Sequence, residues 1–451
     1  MSLKKVLALA LAGTMVMSMA ACGGGSSSDS GSDSSSSTTT EDSGEDAATE
    51  DSGESAQSSD VKLTVALWDS NQQPGLEEIM ADFTAKTGIA TEVQLVTWNE
   101  YWTMLSAAAQ GGSLPDVFWM HANESVRYMS NDILLDLTDQ IAASDVIKTE
   151  NYPEDIWSLY TYDGKNYAVP KDVDTIALWY DKTLFDAAGV DYPTADWTWE
   201  DLIDAAQTIH DKTGEYGYAM SCDDFQSGYA NWIYSYDGSM IDYDTMTSGL
   251  DKPETIEAMN LLESLLRSGA MPSQEVVSEN GPSVLLESGK LAMTTQGSWM
   301  LAEFKNNEYT AENCDCVELP MSSKTGKRAS IYNGLGWAAS ATTEHPDEAW
   351  QLIEYLGSEE AQLKQAELGV TMSAFLGTSD QWINAAPNFN LQAYLNMWDN
   401  MYIFPHSRNT TTWNDAINET FKSAWMGDIT MEDACKEAAQ EMNDVLAEEQ
   451  Q

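Results

Sequence analysis

Between residues 61 and 120 the chain alternates short apolar runs with stretches of helical period, and that alternation narrows its possible folds more than any other feature. Val61 to Trp68 reads as a strand, and Leu76, Ile79, Met80 and Phe83 then recur at helical spacing up to Gly88. A second strand is expected around Ile89 to Val96, a helix around Tyr101 to Gln110, and a third strand within Leu114 to Met120. Strands separated by single helices pair in parallel, so the segment is committed to a doubly wound α/β sheet. In such sheets ligands sit beyond the carboxyl ends of the strands. That rule makes Trp68, Asp69, Trp119, His121 and Asn123 the first candidate site residues. Each has a structural alternative: a Trp at a strand end also packs in a core, and Asp69 also caps a turn.

The alternation continues. A strand is expected from Thr175 to Tyr180, then a helix opening at Thr198 with Asp201 three residues on, a pair resembling a capping box. Leu291 to Thr295 is a short strand that runs through Gly297, Ser298 and Trp299 into another helix. Residues 334 to 341 form a small-residue strand, Pro346 starts a helix with Trp350, Ile353 and Leu356 inward, and Trp413 to Leu446 reads as helical. Roughly 390 residues of this kind exceed one core and suit two lobes.

The first 60 residues are different. Lys4 and Lys5 precede an apolar run from Val6 to Met19 and then Ala20, Ala21 and Cys22, the layout of a secretory signal peptide over residues 1–21. The run is too short to span a membrane. Small residues directly before Cys22 resemble the bacterial lipobox, with Met19 where that pattern usually has Leu, which implies lipidation of Cys22. From Cys22 to Asp60 the chain is an acidic Gly, Ser, Thr, Asp and Glu tract that cannot bury enough surface to offset its ordering entropy. It is expected to be a tether holding a folded module away from a bilayer.

With 73 acidic against 21 basic residues, the chain lacks the basic face that nucleic acid or anionic lipid requires. Cys222, Cys314, Cys316 and Cys435 carry no metal-ligand spacing with His, and Cys314 and Cys316 stand too close for a relaxed disulfide. Packed free thiols are expected, with no metal and no cofactor.

Four segments in order resemble family 1 of the extracellular solute-binding proteins, which holds the maltose- and oligosaccharide-binding proteins. They are Gly111 to Val117; Tyr167 to Pro170 with Asp172, Asp174 and the strand to Tyr180; Gly289 to Met293 running to Trp299; and Asn333 to Trp337 with His345 to Trp350. The resemblance implies a two-lobe, type II periplasmic-binding-protein-like α/β fold with an inter-lobe ligand cleft. Its lobes would be 61–172 plus 320–380 and 173–319 plus 381–451, with hinge strands near 170–174 and 317–322 and a further crossing near 378–385. It further implies a monomeric substrate-binding lipoprotein of an ABC importer, anchored outside the cell membrane, that hands its ligand to permease subunits and is not an enzyme.

A sugar ring has an apolar face and a rim of hydroxyls, so a site for one pairs aromatic platforms with amides and carboxylates. Matching to the family's motifs puts Trp299 first among the platforms, followed by Trp119, Trp232 beside Tyr229, Trp68 and Trp413. The expected polar contacts are Asp69, His121, Asn123, Asp172, Asp174, Asn333 and Arg408. Two alternatives stand beside a neutral sugar. The same acids and aromatics would suit a cationic solute, and a surface glycosidase also pairs platforms with two carboxylates.

Overall fold

The computed structural model describes residues 60–450. Residues 1–59, and with them the expected signal peptide, Cys22 and almost all of the tether, lie outside the described residues. The first sheet has five strands in the order Ala90–Leu95, Lys62–Leu67, Val117–Met120, Gly336–Ala339 and Ala168–Pro170. The first three are parallel, with Val65 opposite Val93 on one side and Val117 on the other. Gly336–Ala339 enters antiparallel, with Trp337 opposite Trp119 and Val169. Helices on both faces explain why Leu63, Val65, Ala66 and Leu67 are all buried in the central strand. Gln73–Thr87 buries Leu76, Ile79, Met80 and Phe83, the predicted stripe, and ends at Gly88 in the left-handed conformation (φ 77°).

The second sheet is built on Ile176–Asp181, flanked antiparallel by Met293–Gly297 and Cys314–Val317. Its central strand is buried on both faces and its side chains alternate between two cores. Ile176, Leu178 and Tyr180 join the main one, while Ala177 and Trp179 join a second around Phe304, Phe389, Trp382 and Tyr394. The predicted capping box forms: the Thr198 side chain accepts the Asp201 backbone N–H, and the Asp201 carboxylate accepts the Thr198 N–H at 2.8 Å. The expected helical stretch from Trp413 to Leu446 is two helices, Thr410–Met426 and Met431–Glu449. Gly427 (φ 87°) breaks it, and the Thr430 side chain caps the second helix.

Three chain segments pass between the sheets. The outward crossing, 170–175, links Ala168–Pro170 of the first sheet to Ile176–Asp181 of the second. The return lies later than the expected 317–322, at Asn333 to Leu335, where Asn333 and Asp174 exchange backbone hydrogen bonds of 2.7 and 3.2 Å. Up to that point the chain stays with the second sheet. Met321 N bonds Trp197 O, and Ser330–Tyr332 pairs with Met401–Ile403, so residues 320 to 332 belong to the second lobe and not the first. The third passes at Ser373, bridged to Asp172, before the expected 378–385. Cys222, Cys314, Cys316 and Cys435 are buried free thiols, as expected. No helix among the described residues is long and apolar enough to cross a membrane.

Candidate ligand-binding cleft

The first-lobe wall of the cleft is aromatic. Trp68 follows the first strand and is half-buried, with Trp98, Tyr101 and Trp119 edge-on to it at centroid distances of 4.9, 5.0 and 4.8 Å. Trp119 is fully buried beneath Trp68, so it supports a platform and is not one, contrary to expectation. Trp98, at the start of the helix Trp98–Gly111, is 40% exposed and stands edge-on to both Trp68 and His121. It is absent from the sequence candidates although it follows the second strand, where the strand-end rule would have found it. Asp69 is half-buried and accepts the Asn71 N–H at 2.8 Å and the Gln72 amide at 2.9 Å, which orients the loop that enters the cleft.

The floor is polar and fully paired where it carries charge. Lys171 and Asp172 form a buried ion pair at 2.6 Å. Lys171 also donates to Gln72 Oε1 at 2.9 Å and lies 4.7 Å over the Trp119 ring. The other Asp172 oxygen accepts the Leu335 N–H at 2.5 Å. Asp172 thus ties two crossing strands together and is a hinge residue, which corrects its expected role as a ligand contact. Asp174 Oδ1 accepts the hydroxyls of Ser298 at 2.8 Å and Thr371 at 3.1 Å, joining the second-lobe wall to the third crossing. Burial, followed by the neighbouring charge of Asp172, pushes the Asp174 carboxyl well above the usual carboxylate range. His121 Nδ1 accepts the Asn123 backbone N–H at 3.1 Å, and its Nε2 lies 2.7 Å from the side-chain amide of Asn333. Burial lowers the imidazole to about 4, so His121 is neutral near pH 7. Asn333 Oδ1 is buried with no hydrogen-bond partner.

On the second lobe Trp299 lies in the turn Ser298–Met300 that follows Met293–Gly297, and it is half-buried. Its ring folds over Gly297 so closely that a Cβ there would come within 2.0 Å of it. Phe225 packs on Phe404 and Trp413, and Phe404 meets His121 of the first lobe edge-on at 5.1 Å. Next to them are three amides with an atom that is buried and without a partner: Gln226 Nε2, Asn414 Oδ1 and Asn418 Oδ1. Asn418 donates its amide hydrogen to Asp223 O at 3.0 Å, which holds the helix Thr410–Met426 against the loop carrying Gln226. No sequence motif points to these amides, because their value lies in what the fold leaves unpaired around them.

Three more candidates on this side do not line the cleft. Trp232 is fully buried and stacked on Trp199 at 3.9 Å, Tyr229 is buried against Phe421, and Trp413 is buried with its N–H on Ser407 at 3.0 Å. An aromatic-rich helix in a second lobe fills its own core first. Arg408 is exposed, and its backbone N–H is held by Glu449 at 3.1 Å. Trp68, Asp69, His121, Asn123, Asp174, Asn333 and Trp299 are the sequence candidates that the structure brings to the two walls and floor.

The lobes also touch at the rims. Thr411 donates to the buried carboxylate of Glu124 at 2.8 Å, and the Asn71 amide donates to Glu303 at 3.0 Å. The walls thus offer partly exposed ring faces and amide atoms with spare hydrogen-bonding capacity, and on the floor the Asp172 charge is neutralised by Lys171. No cluster of His, Cys, Asp and Glu suited to a metal ion occurs among the described residues.

The sequence model for the bacterial extracellular solute-binding proteins matches residues 78–392. A putative binding protein of Brucella abortus is 23% identical over 86% of this chain and 94% of its own. The maltodextrin-binding protein of Bacillus subtilis is 23% identical over 67% of this chain and 71% of its own. Among solved structures, an ABC substrate-binding protein from Listeria monocytogenes in complex with cycloalternan superposes with a TM-score of 0.79. It is 23% identical, and the match covers 86% of this chain and 99% of that one. The maltose-bound MalE3 of T. maritima gives 0.74 at 20% identity, over 85% and 100% of the two chains.

Proposed function

Because this chain belongs to the bacterial extracellular solute-binding proteins, we propose that it captures a neutral oligosaccharide between its lobes and delivers it to the permease of an ABC importer. The observation that carries the ligand class is the presence of half-exposed Trp68, Trp98 and Trp299 together with one unpartnered amide atom on each of Gln226, Asn333, Asn414 and Asn418. Ring faces take the apolar side of a pyranose, and the amides replace water on its hydroxyls. Relatives whose names specify maltodextrin or arabinooligosaccharide support the same class. An ionic ligand fits less well. The Asp172 charge is neutralised by Lys171, and burial raises the Asp174 carboxyl well above the usual carboxylate range.

An extracytoplasmic site of action follows from the family. The run to Cys22 and the acidic composition of the tract behind it support a lipid anchor. A binding role also accounts for the buried hinge, since closure of two lobes around a ligand is what such crossings permit.

The test is a thermal-shift screen against malto-, arabino- and galacto-oligosaccharides. A ligand bound only by the folded state at about a hundred times its Kd adds about 2.7 kcal/mol of stability. One of these sugars is expected to raise Tm by several degrees, with little change on adding salt. A rise seen only with polyamines, and lost in salt, would replace the sugar by a cation.

A further inference from the structure

We infer that the bound glycan is longer than the cleft, and that one of its ends passes Trp98 and lies in a groove on the first lobe. This rests on the capture reading above and gives that site a second subsite, which makes the ligand a chain of several sugar units. The groove, of about 560 Å³, is lined by the helices Trp98–Gly111 and Ala122–Ser130. Its size is that of a small-molecule site.

One wall is set by helical period. Trp98, Trp102, Ser106 and Gln110 recur four residues apart, so their side chains form a single row along the helix. At about 1.5 Å per residue that row extends for about 18 Å, long enough for more than one sugar ring. Trp98 is the 40% exposed ring at the cleft end. Trp102 is half-buried, with its ring centroid 5.5 Å from Trp98 and 5.9 Å from Trp68, so aromatic surface continues from the cleft wall into the groove. Its Nε1 has no hydrogen-bond partner, and a donor left unmet favours an arriving hydroxyl. Beyond it the Ser106 hydroxyl has one long contact, 3.5 Å to Tyr128, and Gln110 is exposed.

The other wall starts one residue past Asn123, a cleft residue. Glu124 is buried; one of its oxygens accepts the Thr411 hydroxyl of the second lobe at 2.8 Å, and the other accepts Arg127 Nε. The groove therefore begins on the line where the lobes meet, which is where a chain leaving the cleft emerges. Glu124 and Arg127 are the charged residues in its lining, and they pair with each other. Ring face, hydroxyl and amide without net charge repeat the chemistry of the cleft. The Arg127 side chain is 41% exposed and commits only its Nε to Glu124. Its terminal amino groups remain to donate to sugar hydroxyls.

The experiment is calorimetric titration of the full chain with malto-, arabino- and galacto-oligosaccharides of increasing length, from disaccharide to heptasaccharide. Affinity is expected to climb by about tenfold or more once the sugar is long enough to leave the cleft, and then to level off. Ala107 lines the groove on the exposed side of its helix, so Ala107→Trp fills the groove and leaves the cleft untouched. That variant should abolish the late gain and keep the wild-type affinity for the shortest sugar bound. Ser106→Ala combined with Gln110→Ala removes polar groups without adding bulk, and should shrink the gain. Equal loss at every length in these variants would make the groove structural and overturn the subsite. So would a wild-type affinity already level at the shortest sugar, or a late gain that survives Ala107→Trp; either leaves the cleft reading intact. Binding of no sugar at any length removes both readings.

Discussion

Trp299→Ala is expected to lower sugar affinity by roughly 30- to 700-fold, the equivalent of about 2–4 kcal/mol at an anchoring aromatic residue. The wild-type Tm should be nearly kept. The two outcomes separate because the ring is half-exposed, whereas truncating a fully buried Trp costs about 3–5 kcal/mol. Its backbone is also fixed independently of the ring: Ser298 N–H donates to Thr175 O at 3.0 Å, and the Ser298 hydroxyl donates to Asp174. Gly297→Ala should reproduce the binding loss without touching Trp299, because the new methyl group meets the ring at 2.0 Å and must displace it. Gly297 has an ordinary extended backbone (φ −77°), so strain does not confound that variant. Calorimetric titration with the sugar found in the screen, alongside thermal melts, checks both. Equal losses of stability and affinity would make Trp299 a core residue.

Trp299 and Trp232 show what is legible in the sequence and what is not. Both are Trp beside a second-lobe element, yet one covers the cleft and the other stacks on Trp199 in the core. The motif around Trp299 fixes a strand, a turn and a helix start, and so fixes where the ring emerges. Nothing local distinguishes Trp232, whose burial depends on Trp199, more than thirty residues earlier. The first sheet is readable for a related reason. Leu76, Ile79, Met80 and Phe83 report their own periodicity, whereas the antiparallel entry of Gly336–Ala339 and the return at Asn333 depend on pairings across more than 150 residues. Asp172 and Asp174 are equally plausible contacts by residue type. Which of them is consumed by the hinge is decided by Lys171 and Leu335, and residue type alone does not carry that information. The unpartnered amide oxygens of Asn414 and Asn418 are invisible for the same cause, since lacking a partner is a property of the packed state.

Lys171→Met is expected to destabilise the protein by about 3–5 kcal/mol, because it leaves the buried Asp172 carboxylate without its counter-ion. The ammonium is fully buried and has three partners: Asp172, Gln72 and the Trp119 ring. It also lies within electrostatic reach of Asp174, where it works against burial and the Asp172 charge. Removing it therefore leaves the buried Asp172 carboxylate without a counter-ion beside Asp174. Adding Asp172→Asn should recover most of the loss, since the amide oxygen still accepts the Leu335 N–H while the uncompensated charge is gone. Urea unfolding of the two single variants and the double variant gives the coupling directly. A cost for Lys171→Met below about 1 kcal/mol, or a double variant no more stable than it, would show that the pair does not hold the crossings. The lysine serves the hinge and the binding wall at once, because its charge steadies the strand on which the lobes turn and it lies against the ring that supports Trp68. Loss of Lys171 should thus loosen the first-lobe platform and the hinge together, lowering sugar affinity even at temperatures where the double variant remains folded.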